Sequence, residues 1–81
     1  MDKNISEILE YINELQDETN VPKNVKLKLT SITDILKQET LDKSLKINKA
    51  LHELDDINND TNIQSFVRTQ IWNIASMLEK L

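Results

Sequence analysis

The chain has 81 residues, 38% apolar and 30% charged, with a formal charge of −4 at pH 7. That length predicts a single domain over residues 1–81 that hides roughly two-thirds of its unfolded surface, which excludes a deep pocket around a large cofactor. The absence of cysteine excludes disulfides, thiolate chemistry and sulfur-ligated metals, and the negative charge disfavours nonspecific attraction to nucleic-acid backbones or anionic lipid.

The first segment, MDKNISEILEYINELQ, is acidic and amphipathic. It lacks the basic start and continuous apolar run of a signal peptide, and no stretch reaches the length of a membrane span. A soluble cytoplasmic protein is expected. In this segment Ile5, Ile8, Leu9, Ile12 and Leu15 share one face of a helix placed at about 4 to 18. Asn4 with Glu7 three residues on fits a capping box, and Asp2 is a competing start.

Pro22 suits the first turn of a second helix, from about 22 to 38, whose stripe is Val25, Leu29, Ile32, Ile35 and Leu36. The strand-like alternation of Val25, Leu27 and Leu29 is outweighed by that longer helical period. Thr40 is a candidate cap for the third helix, where Leu41, Leu45, Ile47, Ala50, Leu51, Leu54 and Ile57 form a broader apolar sector. The polar run NNDTN ends it, and with no glycine in the chain, Asn20, Asn59 or a neighbour is expected to take the left-handed backbone that glycine usually supplies at helix ends. The last helix, about 63 to 80, carries Val67, Ile71, Ile74, Ala75, Leu78 and Leu81, with Ile63 and Phe66 near its start.

Residues 19 to 36 and 61 to 78 repeat one pattern at an offset of 42, which also pairs Ile5 with Ile47, Leu9 with Leu51, Ile12 with Leu54 and Leu15 with Ile57. Two tandem helical hairpins follow, at about 4–38 and about 41–80; neither hides its apolar face alone, and each can hide it against the other. Short connections make neighbouring helices antiparallel, and helices of about sixteen residues span roughly 24 Å, so all four can pack along their length. The predicted fold is all-α, an antiparallel up-and-down four-helix bundle. With only Tyr11, Phe66 and Trp72 as aromatics, its core is mostly Leu and Ile.

Chemistry-bearing constellations are sparse. The lone His52, in HELDD, has Asp56 where a zinc-protease motif needs a second histidine, so the pair offers two ligands and no further ones; a solvated helix face is the simpler reading. Asp56, Asn58 and Asp60 alternate like the start of a calcium loop, but Thr61 stands at the glycine position and Val67 at that of the bidentate glutamate. With one histidine, and no glycine for a nucleophile turn or phosphate loop, no catalytic, cofactor-binding or metal site is assigned, and no enzymatic activity is expected.

Lysines concentrate at Lys23, Lys26, Lys28 and Lys37, and again at Lys43, Lys46 and Lys49. Without interleaved aromatics they read first as solvated, salt-bridged faces. The alternative is a nucleic-acid-associated accessory protein using Lys23, Lys26, Lys43, Lys46 and Lys49. Trp72 sits one residue beyond the stripe position Ile71, rotated about 100° toward the flank shared with Ser65, Arg68 and Glu79. Large aromatics commonly seal small cores; the competing role is an anchor for a partner. Leu27, Leu41 and Phe66 hint at apolar surface outside the core, which would mark an association surface if it were contiguous with Trp72.

At RTQIWNIASMLEKL the last helix resembles that of an uncharacterised archaeal family of small acidic proteins, multihelical bundles with no established function. Arg68, Thr69, Ile71, Trp72, Asn73, Ile74, Ser76, Leu78 and Glu79 carry the resemblance, together with Val21, Pro22, Asn24 and Lys26 near the second helix. Gln64 departs from it, standing where the family usually has a second proline, which implies a looser turn. The resemblance implies a cytoplasmic bundle and brings no catalytic residues. The expected function is a noncatalytic protein-interaction or scaffold module, binding another protein or a copy of itself around Arg68, Trp72, Leu27 and Phe66, with no cofactor, small-molecule substrate or membrane.

Overall fold

The computed structural model describes residues 3–60 and 62–81, which form four helices in chain order: α1 (Lys3–Gln16), α2 (Lys23–Lys37), α3 (Lys43–Asn58) and α4 (Ser65–Glu79). Each lies against its two neighbours in a closed ring, α1 on α2, α2 on α3, α3 on α4 and α4 on α1, around one shared core. Successive helices run antiparallel: the end of α1 lies beside the start of α4 at Leu15 and Phe66, and its start beside the end of α4 at Ile8 and Leu81. The result is the expected antiparallel up-and-down four-helix bundle, 34 × 22 × 20 Å.

Most of each stripe read from the sequence meets inside, while Leu9, Ile35, Ala75 and Leu81 are only half-buried. Ile5, Ile8, Ile12 and Leu15 of α1, Val25, Leu29, Ile32 and Leu36 of α2, and Val67, Ile71, Ile74 and Leu78 of α4 are all buried. Removing such side chains from water is the main force holding a bundle of this size together. The offset of 42 persists in three dimensions: α2 at 23–37 corresponds to α4 at 65–79, and the ends of α1 and α3 correspond at 16 and 58. The two hairpins are similar in structure as well as in pattern.

α3 contributes less than its sequence suggests. Only Ala50, Leu54 and Ile57 are buried; Leu41, Ile47 and Leu51 are half-buried and Leu45 is 42% exposed. Leu45 precedes Ala50 by five residues, about 140° around the helix, so it cannot reach a core that Ala50 faces.

Helix ends also differ from expectation. α1 already includes Asn4 in its first turn, so Asn4 is not its cap; Asp2 lies outside the described residues, as do Met1 and Thr61. α3 starts at Lys43 behind Asp42 rather than behind Thr40, because Asp42 holds an extended backbone (φ −58°, ψ 141°). Pro22 likewise flanks α2 (φ −60°, ψ 152°) instead of opening it. Gln64 flanks α4 with nearly the same angles (φ −72°, ψ 154°), so this entry geometry does not depend on the proline ring. In each case the apolar residue just before the cap turns inward: Val21 and Ile63 are buried and Leu41 is half-buried.

No described residue takes a positive φ, and Asn59 sits in the right-handed region (φ −75°, ψ −12°). The expected left-handed Asn is therefore absent among the described residues. A side chain with a Cβ is strained there, and the helices close instead by tightening their last turn. Backbone N–H groups of Glu18, Gln38, Asp60 and Leu81 donate to the carbonyls of Leu15, Ile35, Ile57 and Leu78, three residues back. These bonds engage carbonyls that a helix end otherwise leaves unpaired.

Candidate functional site

α4 lies between two neighbours, and its sequence divides accordingly. With Val67, Ile71, Ile74 and Leu78 facing the core, the residues a third of a turn to one side (Arg68, Trp72, Ala75, Glu79) face α3, and those to the other side (Phe66, Gln70, Asn73, Met77) face α1. Trp72 does not seal the core: it is 67% exposed. Its indole lines a groove between α3 and α4 whose floor includes Leu51, Leu54 and Ala75. The opposite wall and ends carry Asn48, His52, Asp55 and Asn58 from α3 and Glu79 from α4.

Arg68, on the same flank, is committed to the turn between α3 and α4. Its Nη1 donates to the carbonyl of Asn58 at 2.7 Å and its Nη2 to that of Asp60 at 2.8 Å. A fixed guanidinium fork suits two adjacent acceptors, and positive charge is favoured at the C-terminal end of a helix. The turn is further shaped by Asp60, whose Oδ1 accepts the Asn62 N–H at 2.9 Å in an Asx turn.

The equivalent flank of the first hairpin is built differently. There Thr30 stands in place of Trp72, and Gln16 in place of Asn58. Gln16 Nε2 donates to Thr30 Oγ1 at 2.8 Å and to the Lys26 carbonyl at 3.1 Å, tying α1 to α2 across the flank. In the second hairpin the shorter Asn58 makes no such tie: its Oδ1 is buried and has no hydrogen-bond partner among the described residues. One flank is thus tied by the Gln16 amide and the other at its turn by the Arg68 guanidinium, with an exposed indole farther along it.

The remaining candidate residues are dispersed. Phe66, 42% exposed, borders the α1–α4 seam with Tyr11, Glu14 and Glu18, on the other flank of α4 from Trp72. Leu27 is 65% exposed on α2, the helix diagonal to α4. The structure brings Arg68 and Trp72 onto one flank and does not join Phe66 or Leu27 to them. The lysines are divided too: Lys23 and Lys26 lie at the start of α2, whereas Lys43 and Lys46 lie beside its end, near Lys37. The two groups are about 20 Å apart along the bundle. His52 is exposed, and its expected companion Asp56 faces α2 instead.

Lys28 occupies the α2–α3 seam, with Nζ 3.0 Å from Glu53 and 3.5 Å from Asp56. The hydrogen bond to Glu53 and then its charge, aided by Asp56, raise the Lys28 pKa above the ordinary lysine value. At the equivalent place in the α1–α4 seam, Gln70 accepts a hydrogen bond from the Tyr11 hydroxyl, which in turn accepts one from Asn73 Nδ2 at 3.0 Å. Sequence reasoning missed both pairs. Their signal was the offset itself, since Lys28 and Glu53 map onto Gln70 and Tyr11.

No group of three or more metal-ligating side chains occurs among the described residues, and no helix there is long and apolar enough to cross a membrane. The arrangement offers an open groove of mixed apolar and polar lining, with Asp55 and Glu79 among its charged residues. Similar proteins share the whole bundle. The UPF0147 protein of Archaeoglobus fulgidus is 36% identical over 79 residues, spanning 98% of this chain and 90% of its own. That of Thermoplasma volcanium is 37% identical over 82 residues, spanning 100% and 92%. The crystal structure of MMP1188, a protein of unknown function, superposes with a TM-score of 0.89 at 31% identity, covering 96% of this chain and 89% of that one. The sequence pattern of the uncharacterised protein family UPF0147 matches residues 1–81 from end to end, and the chain belongs to that archaeal family, whose function is unknown.

Proposed function

We propose that this protein is a noncatalytic interaction module of the cytoplasm, and that its partner is a protein that covers Trp72. The observation that carries this reading is the placement of the indole: 67% exposed, over a groove floored by Leu51 and Ala75, on a helix whose inner face is otherwise fully used by the core. An exposed tryptophan beside other apolar side chains is a frequent energetic anchor of protein interfaces. Within the candidate surface, Trp72 supplies the contact and Arg68 holds the adjoining turn in shape. The lysine alternative has no comparable support, since Glu53 and Asp56 intervene along the α2–α3 seam between its two groups.

The test is capture of partners from the native organism, followed by affinity measurements on each purified partner with wild type and Trp72→Ala. A partner that binds this face weakens by about tenfold or more on truncation of the indole. Partners that bind both forms equally would contradict the proposed face.

A further inference from the structure

Resting on that reading of Trp72, we infer that the occupant of the α3–α4 groove is a basic amphipathic helix of another protein. The internal repeat shows what a finished flank looks like in this fold. In the first hairpin a side-chain nitrogen, Gln16 Nε2, crosses from α1 to α2 and lands on Thr30. In the second, Asn58 Oδ1 is enclosed and has no donor among the described residues, and the larger Trp72 stands outward in place of that threonine. The part of this flank open to a partner is the surface formed by Trp72 with Leu51 and Ala75.

The groove's charge names the kind of partner. Asp55 and Glu79 both line it, and neither side chain forms an ion pair among the described residues. At the equivalent positions the first hairpin has Asn13 and Lys37, while its Glu10 stands where this groove has His52, so the carboxylate pair Asp55 and Glu79 has no counterpart there. No lysine or arginine lines the groove. A second copy docking face to face would bring the same carboxylates against these ones, so a basic partner is favoured over symmetric self-association. The shape fits a helix. Asn48 to Asn58 gives a trough about 15 Å long between antiparallel helices, room for about three turns of an amphipathic helix laid along it. Its apolar face would cover Trp72, Leu51 and Ala75, and its lysines or arginines would meet Asp55 and Glu79.

Trp72 is the only tryptophan, so its emission reports directly on the groove. The experiment titrates the full chain with two designed helical peptides that share a leucine face and differ in having lysine or glutamate along its edges. The lysine peptide should bind saturably with a blue shift of Trp72 emission, the glutamate peptide should not, and Asp55→Asn with Glu79→Gln should weaken the former about fivefold. Equal binding of both peptides, no effect of the charge variants, or no emission shift with either peptide would overturn the inference; a native partner that still requires Trp72 would keep the proposed function intact. A concentration-dependent blue shift of the protein alone, with dimers in sedimentation, would overturn it in favour of a second copy.

Discussion

The two hairpins solve the same packing problem with nearly the same core and finish their surfaces in opposite ways. Equivalent inner residues are buried alike: Ile12 and Leu54, Val25 and Val67, Leu29 and Ile71, Ile32 and Ile74, Leu36 and Leu78. Their outer flanks diverge. Hairpin one crosses its flank with the Gln16 amide, while hairpin two ties its turn with Arg68 and leaves Trp72 exposed. The seams between hairpins diverge as well, an ion pair at Lys28 and Glu53 on one side and the Tyr11–Gln70 hydrogen bond on the other. A duplicated core can tolerate this because packing fixes the backbone, and flank residues other than the Arg68 clamp then contribute little to holding it. Surface chemistry is free to differ where burial is not at stake.

The comparison breaks most directly at the core. Leu29→Ala and Ile71→Ala remove equivalent, fully buried side chains, and each should cost about 2–5 kcal/mol in denaturant-induced unfolding. Similar losses would show that both hairpins carry the fold. A loss in only one would mean that a single hairpin dominates stability.

Next in size is the turn clamp. Arg68→Ala removes two charge-assisted hydrogen bonds to main-chain carbonyls and should cost about 1.5–3 kcal/mol. Lys26→Ala, at the matching position, leaves intact the carbonyl that Gln16 uses and should change stability by under about 0.5 kcal/mol. Equal effects in thermal or urea unfolding would erase the distinction between the two turns.

Trp72→Thr installs the first hairpin's residue in the second. Because the indole is mostly outside the core, stability should move by no more than about 0.5 kcal/mol while partner binding falls. A large destabilisation would reassign Trp72 to holding the bundle together. The smallest effect is expected at the charged seam. The raised Lys28 pKa means that its protonated form is favoured by folding, so this contribution is complete below the ordinary lysine value and fades as pH rises through the raised one. The stability difference between wild type and Lys28→Met should therefore shrink at strongly alkaline pH. The side chain is 43% exposed, and solvent screening keeps the effect small.

How much was legible depends on what each residue answers to. Every inner stripe position of α1, α2 and α4 could be read in advance, because helical periodicity and burial impose the same spacing. Leu45 misled because a count of apolar residues does not say how wide an arc the neighbours will cover. Thr40 and the left-handed Asn misled because several local arrangements can satisfy a helix end, and the choice followed where Leu41, Val21 and Ile63 could be tucked in. On the candidate face, the 100° rotation of Trp72 from the stripe was readable, but its exposure was not. Nor were the commitment of Arg68 to two carbonyls and the dispersal of Phe66 and Leu27.

By itself, then, the order of residues determined four amphipathic helices, their duplication and their closure into a bundle, since those follow from local periodicity and the need to hide apolar area. Only the tertiary structure decided how each flank is tied, because that turns on which side chain can reach across to the neighbouring helix. Gln16 reaches Thr30 from the end of α1, whereas on the second flank Arg68 reaches back from α4 to the Asn58 carbonyl and Asn58 Oδ1 has no partner among the described residues.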